Sequence, residues 1–172
     1  MEPLYIIGQI LGVITVILGF VNYLVKTREQ VLFIHIATTV CFAFHYMFIG
    51  AYAGMAMNFV GFVRNLVFYF VGKNSKVGKG WAILFAVIMG AMGIVGWEAW
   101  YSVLAVVGLV INSYSMSFSN PNNIRKSILV TSPMVLIYDV FAKSYGGMVY
   151  ELVVIISSII GLIGYRKDKT EN

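Results

Sequence analysis

Seven long apolar stretches run through this sequence, and they constrain the fold more than any other feature. They are Leu4–Val25, Val31–Ile49, Ala53–Val71, Trp81–Trp97, Ala99–Phe118, Ser127–Ala142 and Gly147–Tyr165. A helix needs ~20 apolar residues, within a range of ~17 to 25, to cross the hydrocarbon of a bilayer. The connections are short, which leaves no length for a soluble domain. Hydrophobic residues make up 60% of the chain and charged ones 11%. A soluble domain carries roughly 25% charge, so a water-soluble enzyme is excluded, and disordered chains are poor in these apolar types. Barrel strands alternate in and out over about ten residues, and these runs do not. The expected fold is an all-α membrane protein, one transmembrane domain over residues 1–172.

The first run is not read as a signal peptide. It begins Met1-Glu2-Pro3, without a basic n-region, and Lys26-Thr27-Arg28 follows it. Cys41 is the single cysteine, so no disulfide framework forms within one chain. Basic residues alternate by loop. Lys26 and Arg28 follow the first span, Lys73, Lys76 and Lys79 the third, Arg125 and Lys126 the fifth, and Arg166, Lys167 and Lys169 the seventh. The opposite loops carry only Lys143. The positive-inside rule then puts the N-terminus outside and the tail, 166–172, in the cytoplasm. Trp97, Trp100 and Tyr101 sit at one outer turn, where an aromatic belt belongs. The net charge of +5 reads as topology and contact with anionic lipid. The lipid bilayer is the expected partner, and no stacking surface for nucleic acid exists outside the membrane.

An internal repeat is visible at an offset of 93. Tyr52-Ala53-Gly54-Met55 returns as Tyr145-Gly146-Gly147-Met148, and the same offset pairs Asn58 with Glu151 and Asn65 with Ser158. Upstream, Asn22-Tyr23 is similar to Asn112-Ser113-Tyr114. The spans group as a first repeat (4–71), a linker helix (81–97) and a second repeat (99–165). One linker span returns the chain to its starting side. The two triplets are therefore parallel, related by an axis along the membrane normal. Gly90, Gly93 and Gly96 on the linker read as a packing face, because small residues let helices approach closely in lipid.

This 3+1+3 pattern resembles the SWEET and PQ-loop superfamily, which includes nicotinamide riboside carriers and the KDEL receptor. A closer similarity, over nearly the whole chain, is to the YgjV family of bacterial inner-membrane proteins. It rests on His45-Tyr46-Met47-Phe48-Ile49-Gly50, on Gly54 through Arg64, and on Gly146-Gly147-Met148-Val149-Tyr150-Glu151. The resemblance implies a SWEET-like fold in the bacterial inner membrane and names no reaction. SWEET-like chains often associate, so it also implies a homo-oligomer, though no residue here specifies one. Two features depart from the sugar-transporter pattern. No Pro-Gln dipeptide occurs, and only Pro133 lies well inside a span.

Ionisable residues within spans cost ~2.5–3.5 kcal/mol each on insertion scales and mark function by default. They are His35, His45, Arg64, Asp139 and Glu151. At ~1.5 Å per residue, His45, Asn58, Asp139 and Glu151 share a layer some 6–7 Å below the outer boundary, and Arg64 lies ~9 Å deeper. Cα–Cβ bonds tilt toward a helix N-terminus, which leans Arg64 and Asp139 toward each other. Arg64 is therefore expected to pair with Asp139, or else with Glu151. Gly54, Asn58, Gly61 and Asn65 form one helical face, and Gly147, Glu151 and Ser158 its counterpart. The two stripes are expected to face each other across the axis. Two readings stand: an outward-open cavity for a small polar or cationic solute, or a buried network ordering the helices. His35 reads as a snorkelling or capping residue. His45 either titrates to gate proton coupling or is a satisfied interhelical histidine. Asn22 and Asn112 read as interhelical glue, and Pro133 as a hinge or a static bend.

Enzyme chemistry is not expected. No HExxH, GxSxG or phosphate loop is present. His35 and His45 of one helix are ~15 Å apart in height, too far to share a haem, and no cofactor is expected. One histidine in the acidic layer, beside Arg64, argues against a metal. The expected function is a carrier for a small polar solute, working by alternating access, with Asn58, Glu151, Arg64, Asp139 and His45 as its site. The alternative is a non-transporting scaffold or ligand-binding receptor on the same bundle.

Overall fold

The computed structural model describes residues 3–25, 27–74 and 77–170. Lys26 and Lys76 of the basic loops, and the last two residues of the tail, lie outside the described residues. Among the described residues the chain forms seven α-helices: α1 Pro3–Leu24, α2 Arg28–Ile49, α3 Tyr52–Asn74, α4 Lys79–Val95, α5 Ser102–Ser115, α6 Pro121–Phe141 and α7 Tyr145–Thr170. Four of them, α1, α2, α3 and α7, are long and apolar enough to cross a membrane. Helices α4 and α5 are apolar but shorter, and α6 carries Thr131, Ser132 and Asp139 buried on its inner side.

Local chemistry sets the ends. Thr27 and Gln30 form a capping box at the start of α2. Asn120 caps α6 with Pro121 at its first position, so α6 begins six residues before the apolar run does. Helix α7 continues five residues past its expected end, and the tail is helical to Thr170.

Each helix packs on its chain neighbours, and α1 also packs on α7, so the seven close a ring. Helix α3 touches α5 directly while α4 packs on both. Gly93 of α4 abuts Val106 of α5, where an added Cβ would lie 2.5 Å from the valine methyl. Gly96 abuts the Ala53 backbone in α3, at 2.7 Å. That is the packing role read for this glycine row.

Helix α1 is built for lipid. Gly8, Gly12, Thr15 and Gly19 are its buried positions, at helical spacing. Gly12 lies against the Gly146 backbone of α7, and Gly19 against the Tyr150 ring. Ile6, Ile10, Val13, Ile17 and Phe20 point outward and are exposed. A buried face of small residues and a bare face of large apolar ones suits a helix whose solvent is hydrocarbon.

The connection between α2 and α3 and that between α6 and α7 are the same turn drawn twice. Gly50 and Lys143, 93 residues apart, both have positive φ, +81° and +55°. Ala51 N–H donates to Tyr46 O and Ser144 N–H to Asp139 O, each at 2.9 Å. Gly50 N–H donates to Met47 O and Lys143 N–H to Val140 O, each at 3.3 Å. These bonds make two Schellman motifs. Both turns lie at one end of the bundle, here the turn end. The α4–α5 turn joins them there, stacking Tyr101 on Phe141 of α6 with ring centroids 5.2 Å apart. The opposite, basic end carries Arg28, Arg125 and Lys126.

Candidate functional site

The turn end is tied by side chains that reach between the two matched turns. Tyr46 Oη donates to Asp139 Oδ1 at 2.6 Å, and these two residues are themselves 93 apart. Gly54 N–H, in the first turn of α3, donates to Tyr138 Oη at 3.1 Å. The neighbouring Ala53 N–H donates to Glu98 Oε1 at 3.0 Å. The first amides of a helix lack partners within it, and here side chains from α6 and the α4–α5 turn supply them. At the start of α7, Ser144 Oγ accepts from Gly147 N–H at 3.2 Å.

His45 completes this clasp. Its Nδ1 lies 2.7 Å from Gly8 O, and its Nε2 lies 2.7 Å from Ser144 Oγ. A carbonyl only accepts, so Nδ1 carries the hydrogen. In the neutral ring Nε2 is then the acceptor, and the Ser144 hydroxyl donates to it. The ring thus joins α1, α2 and the α6–α7 turn, and it is fully buried.

The expected pairing of Arg64 with Asp139 or Glu151 is corrected by this geometry. Arg64 Nε and Nη2 donate to Asn65 Oδ1 at 3.1 and 2.9 Å. Asp139 takes its hydrogen bond from Tyr46 instead. The reason is depth: Tyr46 sits in the same layer as the carboxylate, while Arg64 starts ~9 Å below it. His45 and Asp139 belong to the clasp and do not line the two interior cavities beneath it.

Below the clasp is a cavity of about 70 Å³. A water needs ~10–15 Å³ of such space, so there is room for on the order of five. Six of the seven helices line it, and α1 does not. Its wall repeats at the offset of 93: His35 and Ile128, Thr39 and Ser132, Phe42 and Val135, Met57 and Tyr150, Asn58 and Glu151, Gly61 and Val154. Asn58, Arg64 and Glu151 of the expected site are all here, with Gly54 and Gly61, whereas Asn65 and Gly147 do not line it and Ser158 lines the second cavity. Arg64 and Glu151 are buried, at 4% and 8% exposure. Asn58 Nδ2 donates to Gly54 O at 2.9 Å.

A second cavity, of about 40 Å³, lies toward the basic end between Asn22, Arg28, Arg125, Ser157 and Ser158. His35, Ile128 and Val154 line both spaces and so form the partition between them. The expected outward opening meets Tyr46, Gly54 and Tyr138 at the turn end, all joined by the clasp, and the next free space lies on the basic side. Arg28 rests on Gly72, and Arg125 rests on Gly161, where an added Cβ would lie 2.7 Å from Nε.

Sequence reasoning missed His35 as a cavity residue. It is buried, and its Nε2 has no protein partner. It also missed Tyr46, Tyr138 and the hydroxyls of Thr39 and Ser132. Reading the offset upstream would have found them, since Thr38-Thr39 matches Thr131-Ser132 and His45-Tyr46 matches Tyr138-Asp139. Among the described residues, no group of three or more His, Cys, Asp or Glu is placed to hold a metal. No curated protein and no solved structure matches the chain. Residues 6–169 match one family, and the protein belongs to it: Imp-YgjV, bacterial inner membrane protein.

Proposed function

We propose that this inner membrane protein is a carrier for a small polar solute, working by alternating access. The reading rests on one observation: equivalent residues of the two halves line a single polar cavity that holds the buried ionisable side chains of Arg64 and Glu151. A purely stabilising role explains them poorly, because interhelical hydrogen bonds in membranes average only ~0.6 kcal/mol. In this reading all seven helices span, and α1–α3 and α5–α7 are parallel repeats in a SWEET-like 3+1+3 order. The contacts of α1 with α7 and of α3 with α5 are then the two equivalent seams, with α4 laid outside the second. The turn end faces outward and the basic end inward, with the clasp as the closed outer gate. The partition at His35, Ile128 and Val154 is the inner gate. Asn58, Arg64 and Glu151 form the site, while His45 and Asp139 act on it through the gate.

The test is uptake into phosphatidylethanolamine–phosphatidylglycerol vesicles of radiolabelled glycine, urea, glycerol and guanidinium. Wild type should exceed empty vesicles for at least one solute, and Glu151→Gln should lower that flux tenfold or more. Leak-level flux of every solute with wild type overturns the reading. The small volume of the cavity favours the second reading in that event, a non-transporting receptor or scaffold.

A further inference from the structure

We propose that the central cavity binds a small zwitterion, with its carboxylate on Arg64 and its ammonium on Glu151; this rests on the carrier reading for transport but not for binding. Both side chains are more than nine-tenths buried and line one space. Among the described residues neither forms an ion pair. Arg64 spends Nε and Nη2 on the neutral oxygen of Asn65, which leaves Nη1 for a ligand. A guanidinium in a low-dielectric site gains most from a carboxylate. Asn58 commits its amide nitrogen to Gly54 O and keeps its carbonyl oxygen to accept from an ammonium beside Glu151.

With Glu151 ionised, charge complementarity disfavours the simpler ions. A cation would satisfy Glu151 and meet the unneutralised charge of Arg64, and an anion would do the reverse. Each leaves one buried charge bare, the costly outcome in a water-poor interior. A neutral solute satisfies neither. A zwitterion satisfies both and adds no net charge. Space for on the order of five waters fits a molecule of about as many non-hydrogen atoms, the size of the smallest amino acids. His35 Nε2, buried and unpartnered on the same wall, can meet a solute carboxylate or its water.

The experiment is equilibrium binding of radiolabelled glycine, β-alanine and γ-aminobutyrate to the full chain in detergent. Acetate and methylammonium serve as competitors. One of the three zwitterions should bind saturably, and the best chain length measures the span between the two charges. Acetate or methylammonium alone should compete at least tenfold more weakly. Glu151→Gln and Arg64→Gln should each weaken binding tenfold or more, while Lys143→Gly, at the turn end, should leave it unchanged. If Arg64→Gln fails to fold, the Glu151→Gln arm and the competition decide. Binding of acetate or methylammonium in preference to all three overturns the zwitterion. So does vesicle uptake of urea or glycerol by a protein that binds none of them, an outcome that leaves the carrier reading standing.

Discussion

Residues 46–58 and 139–151 share one backbone path and differ in chemistry. Each runs from the end of one helix through a Schellman turn into the next, with matching hydrogen bonds. In both, the glycine eight residues on, Gly54 or Gly147, gives way to the first side chain: the Tyr46 ring, or the Asp139 carboxylate. The side chains then diverge. Tyr46 corresponds to Asp139, Asn58 to Glu151, and Gly50 at the turn to Lys143. The divergence permits contacts that identical halves could not make. Two aspartates meeting there would repel, whereas Tyr46 donates to Asp139. The two turns share a backbone path, and the differing side chains make the central space chemically two-sided.

The neighbours of the two regions differ as well, which yields the largest expected effect. Gly146 in the second region packs on the Gly12 backbone of α1, while its counterpart Ala53 packs on Gly96 of α4. Two backbones in contact cannot move apart without opening the ring. Gly146→Leu should cost more than about 3 kcal/mol, beyond the usual range for overpacking. The protein should then elute aggregated from a detergent column. If Gly146→Leu stays monodisperse with an unchanged melting temperature, α1 is not held there and the closed ring is wrong.

Next comes the bond between the regions. Tyr46→Phe removes the donor to a buried carboxyl oxygen, and leaving a buried acceptor unsatisfied costs about 1–3 kcal/mol. A melt in detergent should show a loss of that order. Asp139→Asn should lose less, since an amide still accepts from the phenol. The double variant should lose less than the sum, as expected for residues in contact. Additive losses would mean that the two regions do not grip each other.

Much of this was legible in the sequence. All seven apolar runs became helices, because a run of that length buries or faces hydrocarbon whatever its partners are. The offset between Tyr52 and Tyr145 marked the duplicated turns. Asn58, Arg64 and Glu151 were singled out as polar groups in apolar helices, and they line the cavity. The partners were not legible. Arg64 and Asp139 are complementary in charge, but which neighbour wins depends on a few ångströms of depth. Tyr46 is one of 11 tyrosines, and only its match to Asp139 at the offset of 93 marks it. His35 was obscured because its counterpart is Ile128, so the repeat shows no polar match there. Helix ends failed where capping outranked hydropathy, as at Asn120 and Pro121.

The smallest expected effect bears most directly on whether the turns are one motif. Positive φ suits glycine, which has no Cβ to crowd the following carbonyl, and costs other residues about 1–2 kcal/mol. Gly50 accepts the conformation freely, while Lys143 holds it at φ 55° with an exposed side chain. Lys143→Gly should therefore raise stability by about 1 kcal/mol, reduced by the freedom that glycine adds to the unfolded chain. Gly50→Lys should lower it by a similar amount. Opposite shifts in the two melting temperatures would establish that both turns impose the same backbone. A destabilising Lys143→Gly would mean that the lysine side chain, and not the turn geometry, secures the second region. The charge offers an independent check, because Lys143 is the one basic residue in the loops of its end. Removing it steepens the asymmetry that orients the chain, so cysteine labelling from the two sides of the membrane should find the topology unchanged.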